Sequence, residues 1–95
     1  VVVRFEWDDA KNDSNRKKHK VSFEVASLVF DDPNVLVFPD RIEGDEERWH
    51  AIGSVSGSLL FLTVVHTYIG DEAIRIVSAR PATRSERNQY AEAIL

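Results

Sequence analysis

The stretch "IRIVSARPATRSERNQYAEA", Ile74 to Ala93, decides how the chain folds. Ile74 and Ile76 alternate with Arg75 and Val77 as in a strand, and the same alternation sets Arg80 on the side of Ile76 and Ser78. Pro81 breaks the pattern, and "TRSE" then spells a capping box, in which the Thr83 hydroxyl and the Glu86 carboxylate satisfy each other's free backbone N–H groups. The chain therefore passes from strand to helix at this corner. Arg75, Arg80, Arg84 and Arg87 all lie within thirteen residues of it, in a protein whose net charge is −4.

Working outward, "VLVF" (Val35–Phe38), Arg48–Val55, Leu59–Thr67 and Ala73–Arg80 read as strands. "SGS" and "YIGDE" join the last three as short glycine-bearing turns, which implies antiparallel neighbours. "PDRIEGDEE" reads as a charged loop. Upstream, Val2–Trp7 carries the β-favouring Phe5 and Trp7. Asp8 and Asp9 cap a polar surface helix through about Lys18. Ser22 caps "FEVASLVF", whose Phe23, Ala26, Val29 and Phe30 form an apolar stripe that Pro33 ends. The order β-α-α-β-β-β-β-α predicts an α+β fold, an antiparallel sheet packed against helices, as a single domain over 1–95.

Ninety-five residues that are 43% hydrophobic suffice for one core. No apolar run nears the ~18 residues of a membrane span, and Arg4 and Glu6 follow "VVV" too closely for a signal peptide. Cysteine is absent, which excludes thiolate chemistry and suits a reducing cytoplasm. With no methionine anywhere, Val1 is not expected to be the translated start. Residues 1–20 hold six Lys/Arg against four Asp/Glu, residues 21–50 two against eight, and residues 51–95 four against four. The acidity is thus central. It argues against a protein that coats nucleic acid, but leaves room for compact basic sites on the flanks.

Two such sites stand out. Arg80, the N-terminus of the last helix and Arg84 in its first turn suit a phosphate. The alternative is that these arginines pair with carboxylates of the middle segment. "NRKKHK" (Asn15–Lys20) places Lys17, Lys18, Lys20 and His19 at the end of the first helix, where cations are also favoured by the helix dipole alone. His66 on "LFLTVVHT" and His50 after Trp49 read as structural histidines or as site groups. The spacing of His19, His50 and His66 carries no metal-binding pattern, and no glycine-rich phosphate loop is present, so neither metal nor cofactor is expected. "DEE" (Asp45–Glu47) reads as a solvated loop, or as carboxylates that orient an arginine or histidine.

Taken together, "FEWD", "KHKVSFEVA", "ERWHAIG" and above all "IRIVSARPATRSERNQY", ending at Tyr90, resemble the BrnT family, toxins of bacterial toxin–antitoxin pairs. The resemblance runs over nearly the whole chain. It implies a RelE-like fold and a cytoplasmic ribonuclease that cuts RNA and slows translation. It also implies a cognate BrnA-like ribbon-helix-helix antitoxin, with which the toxin binds and represses its own operator DNA. Carried over by position, Arg48, Arg75 and Arg80 become the basic residues to watch, with His19 the matching histidine. The chain departs from the pattern at Lys20, where glycine is usual.

On this view arginine forks hold the scissile phosphate. His19 is the best-tuned proton-transfer group, with Glu47, then His66, and Tyr90 as further candidates. Lys17, Lys18, Lys20, Arg84, His66 and Tyr90 are expected at the RNA, and both basic sites are expected to meet in one groove between the first and last helices. The acidic middle would repel stray RNA or receive a basic antitoxin. The competing reading is an antitoxin-binding module with weak or no nuclease activity that acts mainly as a co-repressor, and the plainest is a small α+β domain whose arginines only form salt bridges.

Overall fold

The structure, a computed structural model, describes residues 3–95. Its elements follow the expected order: β1 (Arg4–Glu6), α1 (Asp9–His19), α2 (Phe23–Ser27, continued by a 3-10 turn, Leu28–Asp31), β2 (Leu36–Glu43), β3 (Glu46–Ser54), β4 (Phe61–Ile69), β5 (Ala73–Pro81) and α3 (Arg84–Ile94). The five strands form one sheet in the order β1-β5-β4-β3-β2. All neighbours are antiparallel except β1, which runs parallel to β5. Parallel pairing needs a long crossover, and α1 with α2 is part of it. β1 is shorter than the Val2–Trp7 expected, and Val2 lies outside the described residues.

Helices cover the two faces of the sheet unequally. On one face Phe23, Ala26 and Val29 pack on Ala51, Leu62, Val64, Ile74, Ile76 and Ala79, all buried. On the other, Tyr90 of α3 and Ala82 pack with Ile52, Leu36, Phe38 and Phe61 at one end only. The remainder of that second face is open.

Two expectations about local structure are corrected. The charged segment "PDRIEGDEE" is not a loop. It is the arm and tip of the β2–β3 hairpin, closed by Gly44 at φ 62°. Pro39 is tolerated because β2 is an edge strand and needs no donor on its free side. In β5, Val65 pairs with Ser78 but His66 with Ile76, leaving Val77 as the extra residue of a bulge. The bulge reverses the alternation, so Ser78 and Arg80 face away from Ile76. Arg80 consequently points to the open face.

The first helix is held by asparagines rather than by an apolar stripe. Asn15 donates to the carbonyls of Val21 and Ala79, both at 2.8 Å, and accepts from the Ala79 N–H at 3.2 Å. It thereby satisfies β5 beyond the point where β1 stops pairing. Asn12 accepts from the Phe23 N–H at 2.8 Å and donates to Glu24 at 2.8 Å, tying α1 to the start of α2.

Candidate functional site

Strand register gathers the arginines. Arg80 lies beside Thr63, which lies beside Ile52 of the α3 core. In the next row Ser78, Val65, His50 and Phe38 run across four strands. In the third, Arg75 lies between Glu6 and Thr67. Arg48 is two residues before His50 on β3 and shares its side. Arg48, Arg75 and Arg80 thus stand on one face, the one α3 leaves open.

Each is held by a carboxylate. Arg80 donates through Nη1 and Nη2 to Glu86 Oε1 and Oε2 at 2.6 and 2.9 Å. Glu86 Oε1 also accepts from the Thr83 N–H at 2.8 Å, and the Glu86 N–H donates to Thr83 Oγ1, which completes the capping box. The helix terminus expected to take a phosphate therefore carries the protein's own anion. The Arg80 hydrogen bonds pull the Glu86 carboxyl down to about 2. Arg75 Nη1 meets Glu6 at 3.0 Å, and Arg48 Nε stands 3.5 Å from Glu46. The alternative pairing of the corner arginines with carboxylates of the middle segment is not found among the described residues: Arg75 and Arg80 pair with Glu6 and Glu86, and neither Arg84 nor Arg87 makes an ion pair. Arg75 is 44% exposed, so its pair is worth little, ~0–1 kcal/mol.

The buried side-chain polar atoms left without a hydrogen bond among the described residues are Arg48 Nε and Thr63 Oγ1. Both belong to this same face. Thr63 Oγ1 lies near enough to Glu86 to help lower its carboxyl, but makes no hydrogen bond with it. Unspent donors beside fixed guanidinium groups are what an incoming oxyanion would use.

His50 completes the face. Its Nε2 stands 3.5 Å from Asp40 Oδ2, and its ring meets Phe38 edge-on, with centroids 5.4 Å apart.

The second basic site lies elsewhere. Arg16, Lys17, His19 and Lys20 line an open groove of about 1090 Å³ together with Val21, Val25, Leu60 and Pro81 and the acidic Asp13 and Glu24. None of Arg48, Arg75 and Arg80 lines it, so the two basic sites do not meet in one groove as the sequence suggested. Pro81 is the nearest approach along the chain. Lys20 takes the left-handed conformation usual for glycine at a helix end, φ 62°, its N–H donating to the Arg16 carbonyl.

Other expected site residues are placed away from solvent or away from the arginines. His66 is wholly buried on the α2 face against Phe30, and burial lowers its pKa to about 4. It is a neutral core histidine, not an RNA contact. Tyr90 is buried too, donating to Asp32 Oδ2 at 2.6 Å, with its ring against Phe61. Burial and Asp32 both raise its pKa, and the hydrogen bond ties α3 to the end of the 3-10 turn. Alternation turns the Glu47 side chain to the side of Trp49, opposite Arg48. Arg84 opens α3 and is exposed. His50 and Asp40 are the pair that sequence reasoning passed over. The only signal was a histidine two residues after Arg48, and nothing local tied it to Asp40.

Comparison with known proteins agrees with this architecture. Residues 7–86 match the family model described as "Ribonuclease toxin, BrnT, of type II toxin-antitoxin system". The crystal structure of the Brucella abortus ribonuclease toxin BrnT superimposes with a TM-score of 0.70 at 27% sequence identity, covering 87% of this chain and 100% of that one. No curated protein matches. The chain belongs to the BrnT family of type II ribonuclease toxins.

Proposed function

We propose that this BrnT-family toxin is a metal-independent endoribonuclease that binds a phosphodiester on the open sheet face. The observation that carries this reading is the convergence of Arg48, Arg75 and Arg80 there, beside two buried donors that make no hydrogen bond, Thr63 Oγ1 and Arg48 Nε, the latter only loosely ion-paired with Glu46 at 3.5 Å. A phosphate gains negative charge as the 2′-oxygen attacks. Guanidinium groups already fixed in place stabilise that charge without reorganising. Glu6, Glu46 and Glu86 hold the forks until RNA exchanges for one or more of them. The groove of Lys17, His19 and Lys20, together with Lys18, which is exposed on α1 outside that groove, and exposed Arg84, supplies contacts for the rest of the RNA backbone.

The partner follows from the family. Type II toxins pair with a protein antitoxin, here a BrnA-like ribbon-helix-helix protein in the cytoplasm that binds operator DNA and carries the toxin to it as co-repressor. Ile42 and Val37 on the free edge strand β2 offer it exposed apolar surface.

Purified protein incubated with RNA, with and without chelator, tests the enzyme. Cleavage is expected to persist with chelator. Cleavage that chelator abolishes overturns metal independence. No cleavage under either condition favours the second reading, a co-repressor of low activity, for which the carboxylate held by each arginine is the specific support.

A further inference from the structure

Charge stabilisation alone does not break a phosphodiester; a group must also take the 2′-hydroxyl proton. His66 and Tyr90 are buried, and Glu47 and His19 lie off the arginine-bearing face. One imidazole remains on that face. We infer that His50 is the general base of RNA cleavage and that Asp40 positions its ring, an assignment resting on the ribonuclease reading above.

Position comes first. His50 is in the row of Val65 and Ser78, one row from Arg80 and Thr63 and two residues from Arg48. Two strand spacings, about 10 Å, separate its backbone from β5. Arginine and histidine side chains span that gap with a phosphate between them.

Orientation comes next. In β2 the register steps from Pro39 opposite Trp49 to Arg41 opposite Arg48, which leaves Asp40 as the extra residue of a bulge. Bulges re-aim side chains, and this one brings Asp40 Oδ2 to 3.5 Å from His50 Nε2. Arg41 Nη1 donates to the same oxygen at 3.3 Å and holds the carboxylate in place. The Phe38 ring, nearly perpendicular at 86°, fixes the plane of the imidazole. With Nε2 turned to Asp40, Nδ1 is the nitrogen left for substrate. Both side chains are 19% exposed, which keeps water largely off the pair while leaving the ring edge reachable.

The step balances without a metal. His50 Nδ1 takes the 2′-hydroxyl proton as the 2′-oxygen bonds to phosphorus. The bond from phosphorus to the 5′-oxygen breaks, and that oxygen takes a proton from water. The products are a 2′,3′-cyclic phosphate and a 5′-hydroxyl. The imidazolium, held by Asp40, neutralises the hydroxide left behind. The charged and titratable groups that share His50's face are Asp40 and Arg41 from β2, Arg48 from β3 and Arg80 from β5 with its partner Glu86 from α3, while buried His66 of β4 lies across the sheet, close enough for His50 to disfavour its charged form.

The test compares wild type, His50→Gln and Asp40→Asn on a short RNA with chelator present, reading kcat, KM, pH profile and product ends. His50→Gln is expected to lower kcat by ~10²–10⁴ with KM changed only a few-fold. Asp40→Asn should move the acid limb of the rate profile to lower pH, and wild type should leave 2′,3′-cyclic ends. A folded His50→Gln that cuts at the wild-type rate with the same profile overturns the assignment while leaving the ribonuclease reading intact. Wild type that cuts no RNA overturns both. Should His50→Gln fail to fold, Asp40→Asn decides, and a profile identical to wild type removes the pair.

Discussion

The open sheet face and the α1 groove are both basic, yet they hold their cations in opposite ways. On the sheet face Arg48, Arg75 and Arg80 each stand in an ion pair, with Glu46, Glu6 and Glu86 respectively. In the groove none of Arg16, Lys17 and Lys20 makes an ion pair among the described residues. The difference follows from chemistry and backbone. A planar fork on a rigid strand is kept in one geometry by a carboxylate, whereas a lysine at a helix end is a mobile, hydrated point charge. Fixed charge suits a transition state, and mobile charge suits capture of a polyanion from solution.

That contrast can be broken. Of the changes that set the two regions against each other, the largest effect is expected from Arg80→Ala, which should slow cleavage on the order of 10²–10³-fold. The same change frees Glu86, so its carboxyl should rise from about 2 toward the usual range. The Arg80 hydrogen bonds depress the Glu86 pKa, so they stabilise the wild-type fold above the unfolded value and are lost as pH falls toward 2. Thermal melts across that window should show an acid-side loss that Arg80→Ala flattens. If Arg80→Ala leaves the rate alone and changes only the melts, the sheet face is structural.

A smaller effect belongs to the groove. Replacing Lys17 and Lys20 of the groove and the adjacent Lys18 together by Ala should weaken RNA binding without altering kcat. The slope of log affinity against log salt should fall by about 2, at ~0.7 for each lost contact. An unchanged salt slope would remove the groove from RNA capture, and a lost kcat would erase the distinction between the two regions.

Smallest is Lys20→Gly. Relieving the left-handed backbone should raise stability by ~1 kcal/mol, or about 4–8 °C in Tm for a domain of this size. A fall in Tm would mean that Lys20 makes a compensating contact at the helix end.

Much of the fold was legible because local chemistry announced it. Thr83 and Glu86 form the capping box their spacing spelled, and Phe23, Ala26 and Val29 bury the stripe their periodicity drew. The errors lay where a non-local pairing overrode a local pattern. A charged run became a hairpin arm because β3 supplied its partner strand. Arg80 changed face because one extra residue, Val77, entered β5. Asn12 and Asn15 escaped notice as core residues because burial of a polar side chain depends on acceptors and donors brought from elsewhere, here Val21, Phe23 and Ala79. The site divides similarly. Arg48, Arg75 and Arg80 were visible as a set of charged residues, while Asp40 and His50 were not visible as a pair.

Sequence by itself determined the order of elements, the single α+β domain and the family, since each depends on residues close together in the chain or on a motif read in order. Tertiary structure alone decided which side chains share a face, because a strand's alternation reverses with a single inserted residue and only the neighbouring strand reveals the insertion. It also decided that the helix terminus next to Arg80 is already filled by Glu86, a matter of two side chains meeting at 2.6 Å that composition cannot express.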